Sequence, residues 1–112
     1  MKRFTLDATD QAVILGLSGE IIMDVVPELR TEIERLVAQT SKPGLVADLG
    51  LVTFMDSSGV GLLLGVRRLC QERGKAFSLR NPSPPIKKLL DMLRLTEYFA
   101  ANPASPSGER PA

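Results

Sequence analysis

The sequence predicts an α/β fold: a mixed β-sheet of four to five strands with three or four helices stacked on it. Three observations carry this. Short apolar or alternating runs at 4–6, 12–17, 45–49 and 76–79 have the length and pattern of strands. Between and after them, apolar residues recur every three or four positions, as on one face of a helix. Strands that alternate with helices require parallel crossovers, whereas the first two strands are separated by only a polar turn and so form an antiparallel hairpin.

Each element has its own signal. Residues 4–6 begin the alternation, 7–11 are a polar turn, and 12–17 (AVILGL) are apolar enough for a central strand. Ser18-Gly19-Glu20 then breaks the pattern before the apolar triplet Ile21, Ile22, Met23. From Asp24, the spacing of Val26, Leu29, Ile33, Leu36 and Val37 gives an amphipathic helix. Asp24 is the expected cap, and Pro27 fits only the first turn, where its missing N–H costs nothing. Ser41-Lys42-Pro43-Gly44 ends that helix, and 45–49 (LVADL), bounded by Gly50, is a buried strand.

After Asp56-Ser57-Ser58-Gly59 a second helical stripe runs through Val60, Leu63, Leu64, Val66, Leu69 and Cys70, closing at Gly74. Gly61 and Gly65 are expected to form a flat strip packed against the sheet. A short strand at 76–79, a turn at 80–85 (RNPSPP) and a third helix at 86–93 follow, and 95–99 is read as a final turn or edge strand. One domain therefore spans residues 1–99, and the small, Pro-rich stretch 100–112 is expected to be a disordered tail.

Composition removes most chemistries. Among 112 residues there is one cysteine, Cys70, and no histidine, which excludes the usual zinc sets, an internal disulfide and histidine-based triads. Fourteen basic against thirteen acidic residues leave a net charge of +1, with no footprint for nucleic acid and no polybasic membrane signal. The opening MKRFTLDATDQ has no apolar core of a signal peptide and no run approaches a membrane span, so a cytoplasmic location is expected.

The stretch TFMDSSGVGLLLG, residues 53–65, places two hydroxyls where a strand hands over to a helix. Asp56 or Ser57 suits an N-cap, which accounts for one polar residue but not for the second hydroxyl or the glycines after it. A nucleophile elbow would need Gly-x-Ser-x-Gly and a base, and both are missing. A phosphate cradle would need Gly-x-x-x-x-Gly-Lys. The fourth reading makes a serine itself the substrate: a hydroxyl at the first position of a helix is rigidly held and open to a kinase. Phosphorylation there adds about −1.5 to −2 charges and three acceptor oxygens.

With LSGEI, ADLGLVTFMDSSGVGLLLG and LRNPSPPIKKLLDMLRL in this order, the chain resembles the STAS-domain anti-sigma factor antagonist family over residues 4–99. The resemblance implies a STAS-type sheet and a non-enzymatic switch protein. Unphosphorylated, such a protein binds a serine-kinase anti-sigma factor of histidine-kinase-like ATPase fold and releases the sigma factor. That kinase phosphorylates the first serine after the aspartate, and a metal-dependent serine phosphatase reverses it. Here the resemblance makes Ser57 the phosphoacceptor, with Ser58 as fallback, while Asp56, Ser58 and Gly59 shape the loop. The chain itself needs no cofactor, because ATP and magnesium belong to the partner.

The turn after LSGEI departs from the family's pattern: Ile22 stands where an acidic residue is usual, with Asp24 two positions on. Partner contacts are expected at Glu20, Asp24, Asp56, Ser57, Ser58, Gly59, Val60 and Leu64, although a solvated turn carboxylate explains Glu20 as well. The cations Lys87, Lys88 and Arg94, like Arg67 and Arg68, could bind an acidic client but are read as wet helix faces, and Ser83 is read as a turn or cap residue. The rival reading is a STAS subunit of a lipid-transport ABC complex or signalling scaffold, bound permanently through the same face.

Overall fold

The computed structural model describes residues 4–101, so most of the expected tail, from 102 on, lies outside the described residues. The chain forms β1 (Phe4–Ala8), β2 (Ala12–Ile21), α1 (Val26–Gln39), β3 (Gly44–Met55), α2 (Ser57–Glu72), β4 (Ala76–Arg80), α3 (Pro84–Met92) and α4 (Thr96–Ala101). One sheet has the order β1-β2-β3-β4, with β1 antiparallel to β2 and both other pairs parallel. The mixed sheet is the one the pattern predicts, with four strands and four helices.

Alternation decides the layers. Val13, Leu15 and Leu17 of β2, Leu45, Ala47 and Leu49 of β3, and Phe77 of β4 all face the core. There they meet Leu29, Ile33 and Val37 of α1, Leu62, Leu63 and Val66 of α2, and Ile86 and Leu90 of α3. Cys70 is fully buried in the same core, and that burial pushes its thiol up to about 11 although Lys75 pulls the other way. It is therefore an inert packing residue. The opposite face of the sheet carries Thr5, Asp7, Ser18, Asp48 and Arg80, with Ile14 and exposed Leu51 among them.

Several boundaries differ from the sequence reading. β2 does not stop at Ser18-Gly19-Glu20; it continues to Ile21 through register shifts after Gly16 and after Gly19, where a φ of 74° absorbs the irregularity. β3 likewise runs through Gly50 to Met55. Asp24 does not cap α1. The N-cap is Val25, without a side-chain bond, because the turn already satisfies the entry: the Val25 and Val26 N–H groups donate to the Ile22 carbonyl (2.9 and 3.1 Å). Residues 95–99 fall largely in a helix, not an edge strand. The chain reverses at Arg94 (φ 60°), the Leu95 N–H closes on the Leu90 carbonyl (2.8 Å), and Phe99 returns to Leu95 (3.0 Å).

One cation behaves unlike its wet neighbours. Arg67 is only 4 % exposed: its guanidinium lies 4.6 Å from the centroid of the Tyr98 ring and Nη1 donates to the Tyr98 hydroxyl (3.0 Å). It ties α4 to α2 and is not part of a solvated face. Arg68, by contrast, is exposed and pairs with Glu72 (3.3 Å). Ser83 does occupy the N-cap position of α3, but its hydroxyl donates to the Val52 carbonyl and fastens the loop to β3.

Asp48 anchors the face of the sheet opposite the core. One carboxylate oxygen accepts the Gly50 N–H (2.9 Å) and the other accepts Arg80 Nε (2.7 Å). Partial burial by itself raises its pKa, but the Gly50, Arg80 and Asn81 interactions together outweigh it and hold the carboxyl below its ordinary value. A lowered folded pKa gives stability that is complete above the unfolded value, 3.8, and disappears as the pH falls through the folded one. Asp48→Asn should therefore cost about 1 kcal/mol near neutrality. In denaturation curves recorded at acid pH the gap from wild type should close; an equal gap at both pH values would refute the assignment.

Candidate functional site

The site forms where two neighbouring parallel strands, β2 and β3, reach their carboxyl ends. Ligand and partner sites favour this location in α/β sheets, because loops leave both strands side by side there. Glu20 and Ile21 pair with Phe54 and Met55, so the turn into α1 lies beside the start of α2.

Asp56 fixes this junction. Its Oδ1 accepts the N–H groups of Ser58 (2.9 Å) and Gly59 (3.1 Å), capping α2, and its Oδ2 accepts the Met23 N–H across the junction (3.1 Å). Its own N–H points to the Ile21 carbonyl (3.4 Å). The choice of cap that the sequence left open thus falls on Asp56. One side chain satisfies two orphan donors of the helix and one from the neighbouring loop.

Ser57 is the first residue of α2, exposed, and its hydroxyl has no hydrogen-bond partner among the described residues. Ser58 is half-buried and Gly59 is buried. A Cβ at Gly59 would stand 2.5 Å from the Ile21 carbonyl oxygen and would collide with Met55 Cγ, so the missing side chain is what lets α2 approach β2. An open hydroxyl and a close-packing glycine thus stand two residues apart, one facing out and one facing in.

Of the expected contact residues, Glu20, Asp24 and Ser57 are exposed, and Leu64 is 37 % exposed two turns along α2 from Ser57. Val60 belongs instead to the core at 9 %: three residues on from Ser57, it lies at the edge of the helix stripe that packs on the sheet. Two exposed apolar residues beside the site escape the sequence reading, Met23 (66 % exposed) and Phe54. Met23 looks like part of an apolar triplet. Phe54 becomes visible only once β3 is known to extend to Met55, which is the buried residue of that pair.

Gly61 and Gly65 also reverse their expected role. They share the outer face of α2 with Ser57 and Leu64, and a Cβ at either would meet nothing within 4 Å. The fold gives no packing reason for them. Gly61→Ala and Gly65→Ala should each raise stability by about 0.5–1 kcal/mol, read as a higher midpoint in thermal or urea unfolding; a loss would mean that the helix face is not open.

What this arrangement can do is narrow. No histidine exists in the chain, and no group of three potential metal ligands occurs among the described residues. The site offers a fixed, unpartnered hydroxyl with carboxylates and apolar side chains around it: it can receive a group and present a surface.

Comparison with known proteins agrees with the geometry. Residues 4–100 match the family model described as "Mlab, STAS domain". The chain is 35 % identical over 91 residues to an anti-sigma F factor antagonist of Lysinibacillus sphaericus, covering 81 % of this chain and 78 % of that one. Among solved structures, it resembles the anti-sigma factor antagonist SpoIIAA in its unphosphorylated form (TM-score 0.70, 32 % identity, 82 % and 81 % of the two chains). It also resembles the phosphorylated form of the Bacillus cell fate determinant SpoIIAA (TM-score 0.66, 31 % identity, 85 % and 86 %). Sequence motif, sheet order and strand-to-helix serine thus converge: the chain belongs to the STAS-domain family and groups there with the anti-sigma factor antagonists.

Proposed function

We propose that this protein is an anti-sigma factor antagonist that works by partner switching through Ser57. Unphosphorylated, it docks the Ser57 face on a serine-kinase anti-sigma factor of histidine-kinase-like ATPase fold and frees the sigma factor. The kinase, holding ATP and magnesium, transfers a phosphoryl group to the Ser57 hydroxyl, and the modified chain lets go. A metal-dependent serine phosphatase restores the binding form, all in the cytoplasm. The chain contributes the acceptor and the surface, not catalysis.

The observation that carries this reading is the Ser57 hydroxyl, exposed and unpartnered among the described residues, on a backbone pinned by three bonds to Asp56. Exposed Met23, Phe54 and Leu64 supply apolar area around it, and the bare Gly61 and Gly65 let another surface come close to the helix. Incubation with the cognate kinase and magnesium-ATP, followed by peptide mass spectrometry, tests it. One phosphate on Ser57 is expected, retained in Ser58→Ala; phosphate only elsewhere, or none, refutes it.

The STAS family match also accommodates one other reading, a STAS subunit of a lipid-transport ABC complex or signalling scaffold bound permanently through the same face. Affinity capture separates the two. Recovery of a soluble kinase indicates the switch, and recovery of an ATPase with a permease indicates transport.

A further inference from the structure

The two edges of the sheet are built differently. β4 is backed by α4 and runs into Arg80, Asn81 at φ 55° and Pro82, a charge, a sharp turn and a proline that all hinder further strand addition. β1 has fewer of these protections: one exposed acid, Asp7, whose Oδ1 accepts the Ala8 N–H (2.8 Å), and no sharp turn within the strand. It runs in unbroken antiparallel register against β2, from Phe4 opposite Leu17 to Ala8 opposite Val13, with no bulge, proline or lysine. Leu6, at its centre, is 52 % exposed. Beside it a groove of about 130 Å³ opens between β1 and α1, with Phe4, Leu15, Ile33 and Leu36 in its walls and Glu32 and Arg35 among its lining.

We infer that β1 is the seam of a homodimer in which two copies pair antiparallel about a two-fold axis through Leu6. The axis makes the contact isologous, so every feature must complement itself. This edge does. Residue i then faces residue 12 − i of the second copy: Leu6 meets Leu6, Phe4 meets Ala8, and Thr5 meets Asp7, which pairs a hydroxyl with a carboxylate. All five residues of the strand are used. A slide of two positions in one direction sets Asp7 against Asp7, which like charges oppose, and a slide in the other leaves only residues 4–6 paired.

The apolar side of the strand agrees. Leu6 shares its face with Phe4 and, through the cross-strand pairs, with core residues Leu15 and Leu17, so the second Leu6 falls over the groove. The lining contains an acid and a base already paired, Glu32 with Arg35 at 3.4 Å, so two copies of it meet without net repulsion. The result is one continuous eight-stranded sheet with the site at Ser57 left out of the seam. A contact of five residues a side is small, which makes the dimer dependent on concentration.

Sedimentation velocity of the unphosphorylated full chain over a concentration series should show monomer passing to dimer. Leu6→Lys should raise the dimer dissociation constant at least tenfold with an unchanged melting temperature, since half of Leu6 already lies in water. Leu6→Cys decides the register: directly opposed strand residues have Cα atoms ~4.5–5.5 Å apart, within disulfide reach, so mild oxidation should link the copies. Leu51→Cys, exposed on the other face of the sheet, serves as the control. A monomer at every concentration, a dimer that survives Leu6→Lys, or Leu6→Cys linking no faster than Leu51→Cys overturns the proposal.

Discussion

Ser57→Asp should weaken binding to the anti-sigma partner by about a hundredfold or more, roughly 2.7 kcal/mol, while the melting temperature stays within a degree or two of wild type. Opposing local terms explain the second half of that result. An anion at the first helical position gains ~0.3–1 kcal/mol from the helix dipole, and the neighbouring Asp56 carboxylate takes away a comparable amount. The side chain is exposed, so nothing in the core must move. The binding loss arises because a carboxylate among Met23, Phe54 and Leu64 has to shed its water when a partner covers it. Titration calorimetry with the partner and differential scanning calorimetry check both halves. Unchanged affinity, or a variant that melts early, would show that the charge does not act on the interface.

Gly59→Ala, two residues further on, should do the opposite and unsettle the fold. Replacing a helical glycine normally gains ~1 kcal/mol, because alanine is the better helix former. Here the new Cβ would lie 2.5 Å from the Ile21 carbonyl oxygen, which is backbone of the central strand β2 and cannot swing aside, and it would also run into Met55 Cγ. Overpacking of this kind costs about 1–3 kcal/mol and occasionally more, so the clash wins. The helix start must lift from the sheet, straining the Asp56 bonds to Ser58, Gly59 and Met23. A fall in the melting temperature on the order of 10 °C is expected. A Gly59→Ala protein as stable as Gly61→Ala would mean that α2 does not approach β2 this closely.

The similarity to relatives solved in both phosphorylation states bears on the same point. Both forms match this chain over more than four-fifths of its length, as expected if the phosphate changes who docks and leaves the scaffold alone. Asp56 is the residue that permits this. By bonding two helix donors and a third from the adjacent loop, it holds position 57 rigid without using the Ser57 hydroxyl.

Local pattern was enough for the order of strands and helices, the hairpin, the parallel crossovers and the serine at the strand-to-helix junction. Periodicity and turn chemistry are encoded within a few residues, and Pro27 and Gly74 stand where one helix could begin and the other end. What sequence left open depended on neighbours far along the chain. Whether Ser18-Gly19-Glu20 ends a strand or bulges within it is decided by pairing to β3, and whether Asp24 or the turn carbonyl of Ile22 satisfies the entry to α1 is decided by how that loop meets Asp56. The roles of the glycines followed the same division. Sequence spacing places Gly61 and Gly65 on one helix face and Gly59 on another, but only the packed sheet shows that Gly59 is the contact and the other two are open, because burial belongs to the assembled layers and not to the segment. Arg67 makes the same case: as text it is a charge on a helix, and only the arrival of Tyr98 from α4 gives it an aromatic face and a hydroxyl in place of water.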